Sequence, residues 1–196
     1  FTRRLGQSIA YGNFNDDDYD DVAVSAPFKT VGVNDVAGEV YIYFGSPTGI
    51  GANPDVTISG LAGFAGFGFD MAKINWSTGP EDGLAISAPY GNTVYIFHGT
   101  TLSSAATLDT TNANIVIKPD TNANWFTDGL IGWSLAVGQL HAGSEDLIMG
   151  VPSGGGVGGA VILHGGTPVA GNYTVNLSES ADSMMMAGLE GQVFEN

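Results

Sequence analysis

The sequence predicts an all-β fold: β-propeller blades of four antiparallel strands, about three of them present in the chain. Three observations predict it. The chain resembles itself at a spacing of about 62 residues. Every unit carries four short runs rich in β-branched and aromatic residues, and no stretch sustains a helical hydrophobic period.

The elements follow in order. Each unit opens on a glycine, in Leu5-Gly6-Gln7-Ser8-Ile9-Ala10, Phe67-Gly68-Phe69-Asp70-Met71-Ala72 and Ile131-Gly132-Trp133-Ser134-Leu135-Ala136. A second run closes on a proline: Val22 to Pro27, Leu84 to Pro89, Leu147 to Pro152. The opening glycines recur after 62 and 64 residues and the prolines after 62 and 63. A third, alternating run ends in glycine: Val40 to Gly45, Val94 to Gly99, Ala160 to Gly165. The fourth is Val56-Thr57-Ile58, Ile115-Val116-Ile117 and Tyr173-Thr174-Val175-Asn176-Leu177.

All are bounded by Gly, Pro, Asn or Asp, as strands are. The units are assigned to 1–66, 67–130 and 131–187, and 188–196 is read as the opening of a further repeat. Such a sheet is marginal until neighbours cover its faces, and rings close with roughly four to eight blades. The chain is therefore expected to belong to a larger propeller or to assemble with other chains, and alone to self-associate or be poorly stable. Its first residue is Phe1, which is taken to mark a processed chain or a fragment.

Among the 196 residues, 20 Asp and Glu stand against 5 Lys and Arg, a formal charge of −15. That balance repels phosphate backbones and anionic lipid surfaces, so nucleic acid is excluded as a partner. Disorder is excluded too, because 43% of the residues are hydrophobic and the mean hydropathy is +0.13. There is no Cys, so disulfides and thiolate metal sites are out. No apolar run is long enough to span a bilayer, and the N-terminal residues carry no signal-peptide core.

Between its first two runs the first unit carries Asn13-Phe14-Asn15-Asp16-Asp17-Asp18-Tyr19-Asp20-Asp21. Together with the opening Gly-x-Ser/Asp-x-Ala and the closing Ser-Ala-Pro, this resembles FG-GAP repeats, the blades of the integrin α-subunit propeller. Similar repeats occur in bacterial surface proteins and in propellers appended to secreted phospholipases. The resemblance runs through essentially the whole chain.

It implies a Ca2+ loop with oxygen ligands at alternate positions: Asn13, Asn15, Asp17, the Tyr19 carbonyl and Asp21. The chemistry agrees, since calcium takes six to eight oxygens, and five acids crowded between Asp16 and Asp21 repel one another without a counter-ion. The alternative is a solvated acidic loop. Two departures from the family pattern are Asn13, which replaces an acid, and Asp18, which stands where a left-handed glycine is usual. The matching loops of the other units are depleted. The second has Asn75, Ser77, Gly79 and Gly83 at the ligand positions, and the third, one residue shorter, keeps only Asp146. One metal site is expected.

Other motifs have structural readings. Gly132-Trp133-Ser134 resembles a nucleophile elbow, but Ser8 holds the same repeat position and Asp70 replaces it in the second unit. Gly154, Gly156 and Gly159 fit a dinucleotide pattern but precede a strand, not a helix. His98 and His164 sit at equivalent strand ends, expected to pack between blades or face solvent, and His141 lies in the depleted third loop. The Phe64 to Phe69 stretch and Met184 to Met186 read as core or blade contacts. Asn75, Asn172 and Asn176 open glycosylation triplets.

No catalytic set is visible. The expected function is an extracellular or cell-surface, calcium-stabilised module that binds protein or glycan, mediates adhesion, or assembles with neighbouring propeller subunits. The alternative is an accessory or catalytic propeller of a secreted hydrolase such as a phospholipase-like enzyme, so the enzyme question stays open.

Overall fold

The computed structural model describes residues 3–76, 79–119, 129–140, 142–153, 158–165, 173–177, 184–186 and 189–195. The fold is all-β, with sheets arranged as propeller blades that do not close a ring. The first sheet takes β1 (Ile9–Gly12), β2 (Asp21–Ala26), β3 (Glu39–Tyr43) and β4 (Val56–Ser59), each antiparallel to the next. In the second unit β5 (Met71–Ile74), β6 (Gly83–Ala88) and β7 (Thr93–Phe97) follow, then a single turn α1 (Gly99–Leu102), β8 (Thr107–Asp109) and β9 (Ile115–Pro119). The third contributes β10 (Leu135–Gly138), β11 (Asp146–Val151), β12 (Gly159–His164), β13 (Tyr173–Leu177), β14 (Met184–Met186) and β15 (Leu189–Glu195).

Two strands leave their own unit. β8 pairs parallel with β4, Leu108 opposite Ile58, and β13 pairs parallel with β9, Val175 opposite Ile117. Each lies between the third and fourth antiparallel strands of its unit and reaches back to the outer edge of the preceding sheet. This corrects two expectations. Tyr173–Leu177 is not the fourth strand of the third unit, and residues 189–195 do not open a further repeat: β15 itself pairs with β12. Composition marks a strand but not which edge it joins, and an outer edge with unpaired N–H and C=O groups accepts any suitable partner.

The repeat glycines have a shared reason. Gly6, Gly68 and Gly132 have φ of +86°, +88° and +78°, a left-handed turn that residues with a side chain enter at a cost. Their N–H groups donate to the carbonyls of Ser25, Ser87 and Gly150 at 2.8, 2.8 and 3.0 Å, which starts each inner strand in the same register.

Burial shows the stacking. β2 alternates buried and half-buried positions, because one face of its sheet is covered; β6 is buried at all positions, because its sheet lies between the other two. Leu84, Ile86 and Phe97 join Ala23, Val40 and Ile42 in the core between the first and second sheets. Ala85, Val94 and Ile96 join Leu147, Met149 and Leu163 between the second and third.

Polar stitches cross both interfaces at equivalent places. Met71 N–H donates to Ser8 Oγ at 3.1 Å, and Leu135 N–H to Asp70 Oδ2 at 2.7 Å. Ser8 Oγ also donates to Asp70 Oδ1 at 2.9 Å. At the far end of the inner strands, Asn13 N–H donates to Asp82 Oδ2 at 2.9 Å and Asn75 N–H to Glu145 Oε2 at 2.6 Å. Among the described residues no helix is long and apolar enough to cross a membrane.

Candidate functional site

The acidic loop connects β1 to β2 and is held at both ends. Its first residue, Asn13, is tied by its backbone to Asp82, whose own N–H donates to the Asn13 carbonyl at 2.7 Å. Its last, Asp21, is fully buried and accepts from Phe14 N–H at 2.7 Å and Gly45 N–H at 2.9 Å. Phe14, also fully buried, anchors the loop in the core below.

Between these anchors the side chains turn inward. Asn13 Oδ1 and Asn15 Oδ1 both accept from Asp17 N–H, at 3.1 and 3.2 Å. Asp17 Oδ1 accepts from Tyr19 N–H at 2.7 Å and Oδ2 from Asn15 Nδ2 at 2.9 Å. Side chains that bond their own nearby backbone build tight turns of this kind. The left-handed residue is Asp16, with φ of +58°, and not Asp18. The turn falls two residues earlier than the family register places it, and aspartate is among the side chains that tolerate that region.

The loop carries no neutralising group of its own. Burial pushes the Asp21 carboxyl above its ordinary value, the Gly45 and Phe14 N–H groups pull it back, and the charges of Asp17 and Asp20 push it up again. Among the described residues no three His, Cys, Asp or Glu side chains are placed to hold a metal ion. The candidate set differs in kind, joining two carboxylates to amide and carbonyl oxygens. The set is all oxygen, the donor type calcium takes, and its two amide oxygens converge on the Asp17 N–H.

The other loops do not match it. Gly79 and Gly83 leave the second without carboxylates at ligand positions, and Ser77 and His141 lie outside the described residues. Asp146, the acid kept in the third, repeats the anchoring role of Asp21: Leu140 N–H donates to its Oδ2 at 2.6 Å, while Gly165 N–H and His164 Nδ1 lie 3.3 and 2.9 Å from its Oδ1. His164 thus packs against a buried acid. At the same repeat place His98 is partly buried, and its Nε2 has no hydrogen-bond partner among the described residues.

Desolvation lowers the His98 pKa below its ordinary value. The unfolded chain therefore takes up this proton first, so stability falls as pH drops through the unfolded value of about 6.5. His98→Phe, matching Phe44 of the first unit, is expected to reduce the loss of melting temperature between about pH 7 and about pH 5. An unchanged pH profile would contradict it.

Two further groupings escaped the sequence. Glu39, nearly buried, accepts from Lys29 Nζ, from Tyr41 OH at 2.6 Å and from Ser59 Oγ at 3.3 Å. Its partners Lys29 and Tyr41 line a cavity of about 190 Å³ together with Arg3, Leu5 and Tyr43. Phe28, Phe69, Tyr90 and Trp133 form an aromatic cluster drawn from all three units, with ring centroids 4.6 to 6.5 Å apart and the Arg4 guanidinium 4.8 Å from the Phe28 centroid. Tyr90 and Trp133 remain 46% and 40% exposed, so the cluster has a solvent face. Phe67, by contrast, is core. The sequence signal for the cluster was present: its rings sit just after the repeat glycine or proline. Gly154, Gly156 and Asn172 fall outside the described residues, and Met184–Met186 form β14.

Comparison with known proteins gives the same family. Residues 5–43 match the FG-GAP repeat. The chain is 30% identical over 141 residues to phosphatidylinositol-glycan-specific phospholipase D of Bos taurus, covering 67% of this chain and 16% of that protein. The Homo sapiens protein of the same name is 29% identical over 140 residues, covering 66% and 16%. Integrin alpha-8 of Mus musculus is 37% identical over 73 residues, covering 35% and 7%. The chain thus spans a small part of the length of these relatives.

Proposed function

From the premise that this chain is an FG-GAP repeat protein, we propose that it is an extracellular or cell-surface binding module whose first blade is stabilised by Ca2+ at Asn13, Asn15, Asp17, the Tyr19 carbonyl and Asp21. The observation that carries the reading is the convergence of the Asn13 and Asn15 side-chain oxygens on the Asp17 N–H, which gathers the first three candidate ligand residues into one turn of a loop with no cation of its own. Its ligand is a protein or glycan, or a neighbouring propeller subunit. The half-exposed rings of Tyr90 and Trp133, beside the loop from Phe28 to Gly38, supply an amphipathic surface suited to such contacts.

The experiment is thermal melting with calcium and with chelator, on the wild type and on Asp17→Ala. A ligand that binds only the folded state raises its stability, by about 2.7 kcal/mol at a hundredfold excess over Kd. Calcium is expected to raise the wild-type melting temperature and to leave Asp17→Ala unmoved. Identical melting in all four samples refutes the site.

A second reading is favoured by one finding. Two thirds of this chain aligns with part of a phospholipase D, so the blades suit an accessory role in a larger hydrolase as well as adhesion. The full reading frame separates them: a neighbouring hydrolase domain supports the second, and further repeats or an anchor segment the first.

A further inference from the structure

The acidic loop belongs to the first blade, but its first candidate ligand residue is held by the second. Asp82 takes both backbone groups of Asn13: its Oδ2 accepts from the Asn13 N–H at 2.9 Å, and its own N–H donates to the Asn13 carbonyl at 2.7 Å. The other carboxylate oxygen, Oδ1, accepts from Lys73 Nζ at 3.1 Å, so Asp82 is fixed from its own blade as well. The seat is close. A β-carbon on Gly12, the residue before Asn13, would lie 3.0 Å from Asp82 Oδ2 and 2.9 Å from Lys73 Cδ, so glycine at that place is what lets the carboxylate in. Among the described residues the hydrogen bonds of Asn15, Asp17 and Tyr19 stay inside the loop.

Asn13 is thus the point at which the loop is tied to the neighbouring blade. Calcium affinity is tuned by the charge of the ligands and by the rigidity of the site. A neutral amide at the first position brings no charge, so its contribution depends on being held in place.

The second interface supplies a comparison within the same chain. There Glu145 Oε2 accepts from the Asn75 N–H at 2.6 Å, so the stitch recurs. Strand register, however, puts Ile74 where the first unit has Gly12, and the loop that follows has no carboxylate at the ligand positions. One interface therefore joins the stitch to a candidate metal loop, and the other has the stitch without it.

We propose that Asp82 is a positioning residue for the calcium site, an inference that rests on the calcium reading of the first loop. From the second blade it fixes Asn13, so calcium affinity depends on the docking of the two blades, and bound calcium tightens that docking. Linkage makes the two effects equal, because whatever the docked interface adds to calcium affinity is returned to the interface when calcium binds.

Calorimetric titration with calcium, on the wild type and on variants of the two stitches, tests it. Asp82→Ala is expected to bind about tenfold more weakly, the scale on which residues that hold metal ligands act. Asp82→Asn loses the charge but keeps an oxygen for the Asn13 N–H, and is expected to recover most of that loss. Glu145→Ala removes the equivalent stitch at the other interface and is expected to bind like the wild type. In the wild type, calcium is expected to slow hydrogen exchange at the Asp82 amide more than at the Asn75 amide, which reports the interface without the candidate loop.

Calcium binding by the wild type with unchanged affinity in Asp82→Ala overturns the proposal and leaves the calcium site standing. A wild type that binds no calcium overturns both. Asp82→Asn as weak as Asp82→Ala shows that charge alone is at work, and Glu145→Ala as weak shows a general loss of stability; either removes the positioning role. Should Asp82→Ala lose its wild-type circular dichroism, the exchange measurement decides, and equal slowing at the Asp82 and Asn75 amides overturns the proposal.

Discussion

Gly38→Ala is expected to destabilise the protein by more than about 3 kcal/mol, enough to shift a urea midpoint well outside error. Gly38 has φ of +88°, and a β-carbon there would be driven into the backbone of Phe67, within 2.8 Å of its nitrogen and still closer to its carbonyl oxygen. The obstacle is main chain, so no rotamer relieves it. Phe67 is 1% exposed and sits in the core between the first two sheets, so moving it opens that core. Gly49→Ala is the control, since Gly49 has a similar φ of +94° but nothing within 4 Å. It should cost only about 1 kcal/mol, the backbone term alone. Equal losses in the two variants would show that the approach to Phe67 is not tight.

Asp21→Ala is expected to cost about 2 to 5 kcal/mol even in chelator. Alanine leaves two N–H groups, those of Phe14 and Gly45, without the acceptor they have in a fully buried setting, and each orphaned donor costs about 1 to 3 kcal/mol. Asp21→Asn keeps one side-chain oxygen and should fall between. Asp17, on the exposed part of the loop, has no such duty, so Asp17→Ala in chelator should melt within about 0.5 kcal/mol of the wild type. That contrast makes Asp17, not Asp21, the clean probe of calcium. An Asp21→Ala protein as stable as wild type in chelator would remove the anchoring role.

The repeat made the strands legible, because glycine and proline at a fixed spacing mark the same left-handed turn and the same strand end each time. Gly6, Gly68 and Gly132 could be read as structural from the alignment alone. What could not be read is where a short strand goes. Thr107–Asp109 has three residues and one buried side chain, too little pattern to register against the helix-like turn before it, and nothing in Tyr173–Leu177 says which edge it prefers. At the site, the acids were visible but their division of labour was not. Asp17 and Asp21 look alike in sequence, yet one caps a turn and the other holds two backbone donors in the core. Asp82 and Glu145 gave a missed signal: an acid one residue before the second strand recurs in every unit, at Asp20, Asp82 and Glu145.

The reaching strands also set an order of events during synthesis. The outer edge of the first sheet, β4, is covered only when Thr107–Asp109 has emerged, some fifty residues later, and the edge of β9 waits in the same way for β13. A nascent chain carrying one complete repeat therefore shows an unpaired edge strand, the surface on which chains aggregate. Truncations placed at the repeat glycines, where the sequence invites a cut, would leave that edge permanently bare. A fragment ending at Asp109 keeps the first sheet whole, at the expense of splitting the second.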